Sequence, residues 1–139
     1  MNKKEYLKKL DRLNLDKSSY CIIASGSMLM HDLCDNCADV DIKVTKELFQ
    51  ELLDKYHMKQ SSRYDYVYEL LGEIDVNCKN FDPKNIEFVD GYPVEKLEVQ
   101  LNWMVENNRP KDQEKIEIIR TYLDRKNING FVSSDTGAW

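Results

Sequence analysis

The order of apolar and polar positions predicts strand and helix in alternation over the first third of the chain. Tyr6, Leu7, Leu10 and Leu13 recur at helical spacing among lysines, so residues 2–14 read as an amphipathic helix. Asp16 to Ser19 break it before a buried strand that begins at Tyr20. A Gly26-Ser27 turn and a short helix lead into a second strand, where Val40, Ile42 and Val44 alternate with Asp39, Asp41 and Lys43. Thr45 is placed to cap the next helix, whose apolar stripe is Leu48, Phe49, Leu52, Leu53 and Tyr56.

The period then shortens. Tyr64, Tyr66 and Tyr68 share one face of an expected strand, Gly72 marks a turn, and residues 73–79 form its hairpin partner, with Ile74, Val76 and Cys78 on one side and Glu73, Asp75 and Asn77 on the other. Phe81 to Pro93 reads as a loop, punctuated by Pro83, Gly91 and Pro93. Leu97, Leu101, Met104 and Val105 predict a helix closed near Pro110, and Asp112 would cap a last helix bearing Ile116, Ile119 and Leu123. The expected organisation is one α/β domain over residues 1–126, a mixed sheet with helices mainly on one face, followed by a polar tail over 127–139.

Composition narrows the picture. The chain has 139 residues, 42% of them hydrophobic and 32% charged, which suits one soluble core. A net charge of −5 argues against a broad nucleic-acid surface and favours a small molecule or a protein as the molecule acted on. No apolar run is long enough for a membrane span or a signal-peptide core, so a cytoplasmic location is expected. Without a secretory signal the four cysteines read as reduced thiols, and Cys34-x-x-Cys37 lacks the second pair that a four-cysteine zinc site needs.

The acidic strand carries the candidate chemistry. Alternation puts Asp39 and Asp41 on one face about 6–7 Å apart. At an effective dielectric near 20, like charges about 5 Å apart repel by roughly 3 kcal/mol. Either one carboxylate keeps its proton or a divalent cation fills the gap, and Mg²⁺ prefers a few carboxylate oxygens together with phosphate groups. With 14 Asp in the chain, chance alone gives about 1.4 Asp-x-Asp pairs, so it is the context that informs: a Gly-Ser turn opening a helix suits a phosphate.

Gly26-Ser27, an eleven-residue spacer, Asp39-Val40-Asp41 between apolar residues and the later Asp75 together resemble the polymerase-beta type nucleotidyltransferase superfamily, in its small single-domain branch. That branch includes minimal nucleotidyltransferases, the enzymatic half of certain abortive-infection and toxin–antitoxin pairs, and small antibiotic nucleotidyltransferases. Arg109-Pro-Lys-Asp112 looks like a segment often found in the abortive-infection type, so the resemblance spans roughly residues 18–124; Trp103-Met104 and Lys115 stand where those relatives commonly have lysine and aspartate. It implies transfer of NMP from an NTP to an acceptor hydroxyl, with Mg²⁺ or Mn²⁺ held by Asp39, Asp41 and Asp75. Gly26, Ser27, Lys43 and Lys111 would contact the triphosphate, although Lys43 beside two aspartates also reads as a salt-bridge partner. The acceptor would be a small molecule, a protein side chain or an RNA end. The alternative is a protein of the same fold that binds nucleotide or a cognate partner without turnover, and a homodimer is compatible with a domain this small.

Overall fold

The computed structural model describes the backbone of residues 1–135 and the side chains through residue 127. The chain divides into two compact units, Met1–Lys96 and a second from Leu97 onward. In the first, α1 (Lys3–Asp11), β1 (Tyr20–Ile22), α2 (Ser25–Met30), β2 (Val40–Val44) and α3 (Lys46–Lys55) follow the predicted alternation. Strands β3 (Lys59–Gln60), β4 (Val67–Leu70), β5 (Ile74–Asn77), β6 (Ile86–Val89) and β7 (Tyr92–Glu95) complete it. The seven strands form one mixed sheet in the order β3-β4-β5-β2-β1-β7-β6, parallel at β2/β5 and β1/β7 and antiparallel elsewhere.

Local chemistry sets the helix starts. Asn2 and Glu5 form a reciprocal capping box on α1, and the Thr45 hydroxyl accepts from the Leu48 N–H at 3.1 Å to begin α3. These two helices bury Tyr6, Leu10, Leu48 and Leu52 in one cluster with Ile22, Val40, Ile42, Val44, Ile74, Val76 and Val94. Each fully buried aliphatic side chain in that layer contributes about 1.5–3 kcal/mol. Because β2 and β5 alternate strictly, this burial turns Asp41, Lys43, Asp75 and Asn77 onto the opposite face.

Several expectations are corrected. Residues 81–93 are not a loop: a 3-10 turn at Pro83–Asn85 leads into the β6–β7 hairpin, closed by Asp90 (φ 51°) and Gly91 (φ 82°). Asp-Gly is the sequence that a two-residue turn with two positive φ angles requires, and the alternation of Ile86, Glu87, Phe88 and Val89 supplies the strand. Tyr64 and Tyr66 precede β4 and pack on each other with ring centroids 5.4 Å apart, whereas Tyr68 lies in β4 and packs on Phe49 of α3 at 5.0 Å. Gly26 and Ser27 lie inside α2, and the turn itself falls at Ala24.

The second unit contains α4 (Leu97–Asn107), a 3-10 turn at Pro110–Asp112 and α5 (Gln113–Asp135). Asp112 is buried, and its carboxylate accepts from the Arg109 Nε at 2.6 Å; the Arg109 guanidinium also lies over the Trp103 ring at 4.6 Å. Helix α5 runs past residue 126, so residues 127–135 continue a helix where a tail was expected; the rest of that tail, 136–139, lies outside the described residues.

Gly26 is where the fold has least room. A Cβ there would sit 2.6 Å from Ile22 Cγ2 and closer still to the Tyr6 hydroxyl. Gly26→Ala should therefore destabilise the chain by about 1–3 kcal/mol, as overpacking does. Urea unfolding followed by circular dichroism checks this, and an unchanged midpoint would contradict the packing at Tyr6.

Candidate active site

Asp41 and Asp75 are brought together by strand register. In the parallel β2/β5 pair they are direct partners, flanked by Val40↔Ile74 and Ile42↔Val76 on the core side. Burial pushes the Asp75 carboxyl above its ordinary value of 3.8; a side-chain hydrogen bond with Asp41 pulls the other way, and the charges of Asp39 and Glu69 push it up further. Two carboxyl groups placed side by side in this way favour the protonated form of one of them, which is the direction of the Asp75 shift.

Asp39 lies one residue ahead of β2, exposed, on the same side as Asp41. The loop that presents it is pinned at Cys37. The Met1 ammonium donates to the Cys37 carbonyl at 2.8 Å, the Cys37 N–H returns a 2.8 Å bond to the Met1 carbonyl, and the Cys37 thiol donates to the Asp39 carbonyl at 3.0 Å. The four cysteines are free, and burial pushes the Cys37 thiol up, which keeps it protonated in this packing role.

Lys43 shares the acidic face and is paired. Its Nζ lies 2.7 Å from Glu95 Oε2, with the lysine side chain 12% and the glutamate 5% exposed. Glu95 ends β7, on the far side of β1 from Lys43, so the two side chains meet over Cys21, the register partner of Lys43. Burial, reinforced by Glu95, pushes the Cys21 thiol up to about 12. Glu95 and Glu69 did not emerge from the sequence: the alternation from Ile86 to Glu95 was the available signal for the first, and the cross-strand register of Glu69 with Asp75 exists only in the folded sheet.

The remaining candidates have other partners. Ser27 is 0% exposed; its hydroxyl donates to the Ile22 carbonyl at 3.2 Å and its N–H to the Ala24 carbonyl at 3.0 Å. Gly26 is needed where Tyr6 packs. Ala24 begins α2 with φ 57° and ψ −137°, a conformation costly for a residue with a Cβ, and local strain of this kind gathers at sites of function. Lys111 is exposed in the 3-10 turn of the second unit.

Among the described residues, no three His, Cys, Asp or Glu side chains gather closely enough to hold a metal ion. The Asp41–Asp75 pair nevertheless suits a hard divalent cation, because Mg²⁺ is commonly held by one or two carboxylates with water and substrate phosphate completing its shell. The oxygens are of the right type and lie side by side on adjacent strands.

A mixed sheet with two carboxylates in register on adjacent parallel strands, and a short helix after the first strand, is an α/β fold of the nucleotidyltransferase kind. The particular likeness is to the crystal structure of a provisionally assigned nucleotidyltransferase from Thermotoga maritima, with a TM-score of 0.55 and 23% identity over 90% of this chain and 96% of that one. At this identity the likeness establishes the fold. No family model matches the sequence, and no curated protein matches it significantly. No helix among the described residues is long and apolar enough to cross a membrane.

Two predictions follow from the electrostatics. A carboxyl whose folded value is raised binds protons more readily when folded, so it lowers stability as pH rises from near 4 through the raised value. Asp75→Asn should accordingly raise the thermal midpoint at pH 7 and leave it unchanged at pH 3; a lower midpoint at pH 7 would contradict the shift. Lys43→Met leaves the Glu95 charge buried without its partner and should cost about 3–5 kcal/mol, whereas Lys43→Met with Glu95→Leu should recover most of that loss. Denaturant titration of the three proteins measures the difference.

Proposed function

We infer that the chain is a metal-dependent nucleotidyltransferase that moves NMP from an NTP to an acceptor hydroxyl and releases pyrophosphate. The observation that carries this reading is the direct register of Asp41 with Asp75, beside Asp39, on the solvent-facing side of the nucleotidyltransferase-type sheet. The acceptor O–H gives up its proton, its oxygen bonds to the α-phosphorus, and the bond from that phosphorus to the β-phosphate oxygen breaks. Most of the catalysis in such an in-line displacement comes from positioning and charge neutralisation.

Asp39 and Asp41 would hold Mg²⁺ or Mn²⁺, with Asp75 completing the donor set or taking the acceptor proton. When bound, the cation neutralises triphosphate charge and orients the leaving pyrophosphate. The strands keep the carboxylates fixed while this happens, since Val40, Ile42, Ile74 and Val76 anchor the other face. Lys111 would contact the triphosphate; Lys43, the other lysine expected there, is ion-paired with Glu95.

A second reading has one observation in its favour. Ser27 is sealed under β1 and Lys43 is already paired, so two of the expected triphosphate contacts have other work. A nucleotidyltransferase fold that binds nucleotide or a protein partner without turnover, as in one half of a toxin–antitoxin pair, fits that arrangement. Incubation with each labelled NTP and Mg²⁺ or Mn²⁺, across small-molecule, protein and RNA acceptors, separates the two. The leading reading expects label transfer that falls about 100-fold or more in Asp41→Asn, with that variant still folded. Transfer that survives Asp41→Asn, or calorimetry showing no metal-dependent NTP binding, overturns it.

A further inference from the structure

The β3–β4 end of the sheet carries a row of charge beyond the three aspartates. Register sets Lys59 opposite Glu69, Glu69 opposite Asp75, and Asp75 opposite Asp41. Cross-strand partners project from one face, and neighbouring strands are about 4.8 Å apart, so the Lys59 backbone lies about 10 Å from that of Asp75 along a continuous line of side chains.

Beside this row, the α3–β3 connection and the β4–β5 turn enclose an open cleft of about 480 Å³, lined by Lys55, Tyr56, His57, Lys59, Glu69 and Leu71. That volume falls in the range of small-molecule sites. Its lining is mainly apolar, and two lysines against one glutamate give it a net positive charge. Lys55 and Lys59 form no ion pair among the described residues, the His57 imidazole adds a nitrogen donor, and Lys55 Nζ lies 5.5 Å over the Tyr56 ring. Leu71 is 64% exposed at the rim with φ 55°, an apolar side chain on an unfavourable backbone held out toward the cleft's solvent.

We propose that this cleft is the acceptor subsite and takes an acceptor bearing a phosphate group. Lys55, Lys59 and the His57 nitrogen bind the phosphate oxygens, Tyr56 and Leu71 cover its less polar part, and the hydroxyl to be modified lies along the row past Glu69, beside Asp75. The assignment rests on the nucleotidyl-transfer reading of Asp41 and Asp75, and it adds the class of molecule that receives the nucleotide. A phosphate held by side chains two strands away from Asp75 suits either a small phosphate monoester or the last linkage of an RNA end, which offer the same charged group.

The test uses the full chain and three probes: inorganic phosphate, glycerol 3-phosphate and an adenylate trinucleotide, titrated by calorimetry with and without a saturating non-hydrolysable Mg·ATP analogue. The expected result is probe binding that persists beside the analogue and weakens at least tenfold in Lys55→Ala/Lys59→Ala, while analogue affinity stays within twofold. Both lysines are exposed, so the fold should tolerate the change, and circular dichroism confirms it. Tighter binding of glycerol 3-phosphate or of the trinucleotide tells a small acceptor from an RNA end. Absence of binding by all three probes, affinity unchanged in the double variant, or displacement by the analogue overturns the proposal. The underlying reading fails separately, if Asp41→Asn leaves metal-dependent analogue binding intact.

Discussion

The pairing of β2 with β5 is the constraint on which the rest of the structure turns. Two short parallel strands, each buried on one face by β-branched residues, meet in the register that places Asp41 next to Asp75. A one-residue slip would relieve the carboxylates but would carry Ile42 or Val76 out of the core, at about 1.5–3 kcal/mol per side chain. The apolar layer therefore holds the acidic pair together against its own repulsion. A charge cluster enforced by packing in this way is ready for a ligand before the ligand arrives, because the cost of assembling the charges has been met during folding.

Lys43 and Glu95 extend the same logic across β1. An isolated lysine beside Asp41 would be drawn to the carboxylates and would compete with any cation there. Glu95, almost wholly buried at the end of β7, holds the ammonium 2.7 Å away from its own oxygen and over Cys21 instead. The aspartates remain acidic in net terms. The small Cys21 side chain matters here, since a bulkier residue between the two strands would separate Lys43 from Glu95, which stand about two strand spacings apart.

What was legible in the sequence followed from strict alternation. Val40 to Val44 and Ile74 to Val76 could each be read as a two-faced strand, and the face assigned to Asp41 and Asp75 agrees with the burial found. That the two strands would be neighbours, and in which register, is a long-range property that no local pattern contains. Residues 81–93 were obscured by their prolines and glycine: Pro93 lies in β7, where its missing N–H weighs against a strand, and the Asp90-Gly91 turn signal was outvoted. The 127–135 stretch is polar enough to read as a tail, yet α5 continues through it, because a helix with few apolar positions leaves a weak periodic signal.

Gly26 shows how two different demands on a residue can look alike in sequence. A glycine before a serine at the start of a helix suggests close approach to a phosphate. The fold supplies a different need, since Tyr6 enters from α1 and occupies the space that a Cβ would take, while its hydroxyl lies buried beside the Asp41 backbone without closing a well-formed hydrogen bond. Leaving a buried hydroxyl without a good partner costs free energy that phenylalanine would not. Tyr6 touches both the first turn of α2 and the strand that carries Asp41, so it couples the helix start to the acidic pair through contact alone. The glycine is therefore a condition for seating Tyr6 between the start of α2 and the strand that carries Asp41.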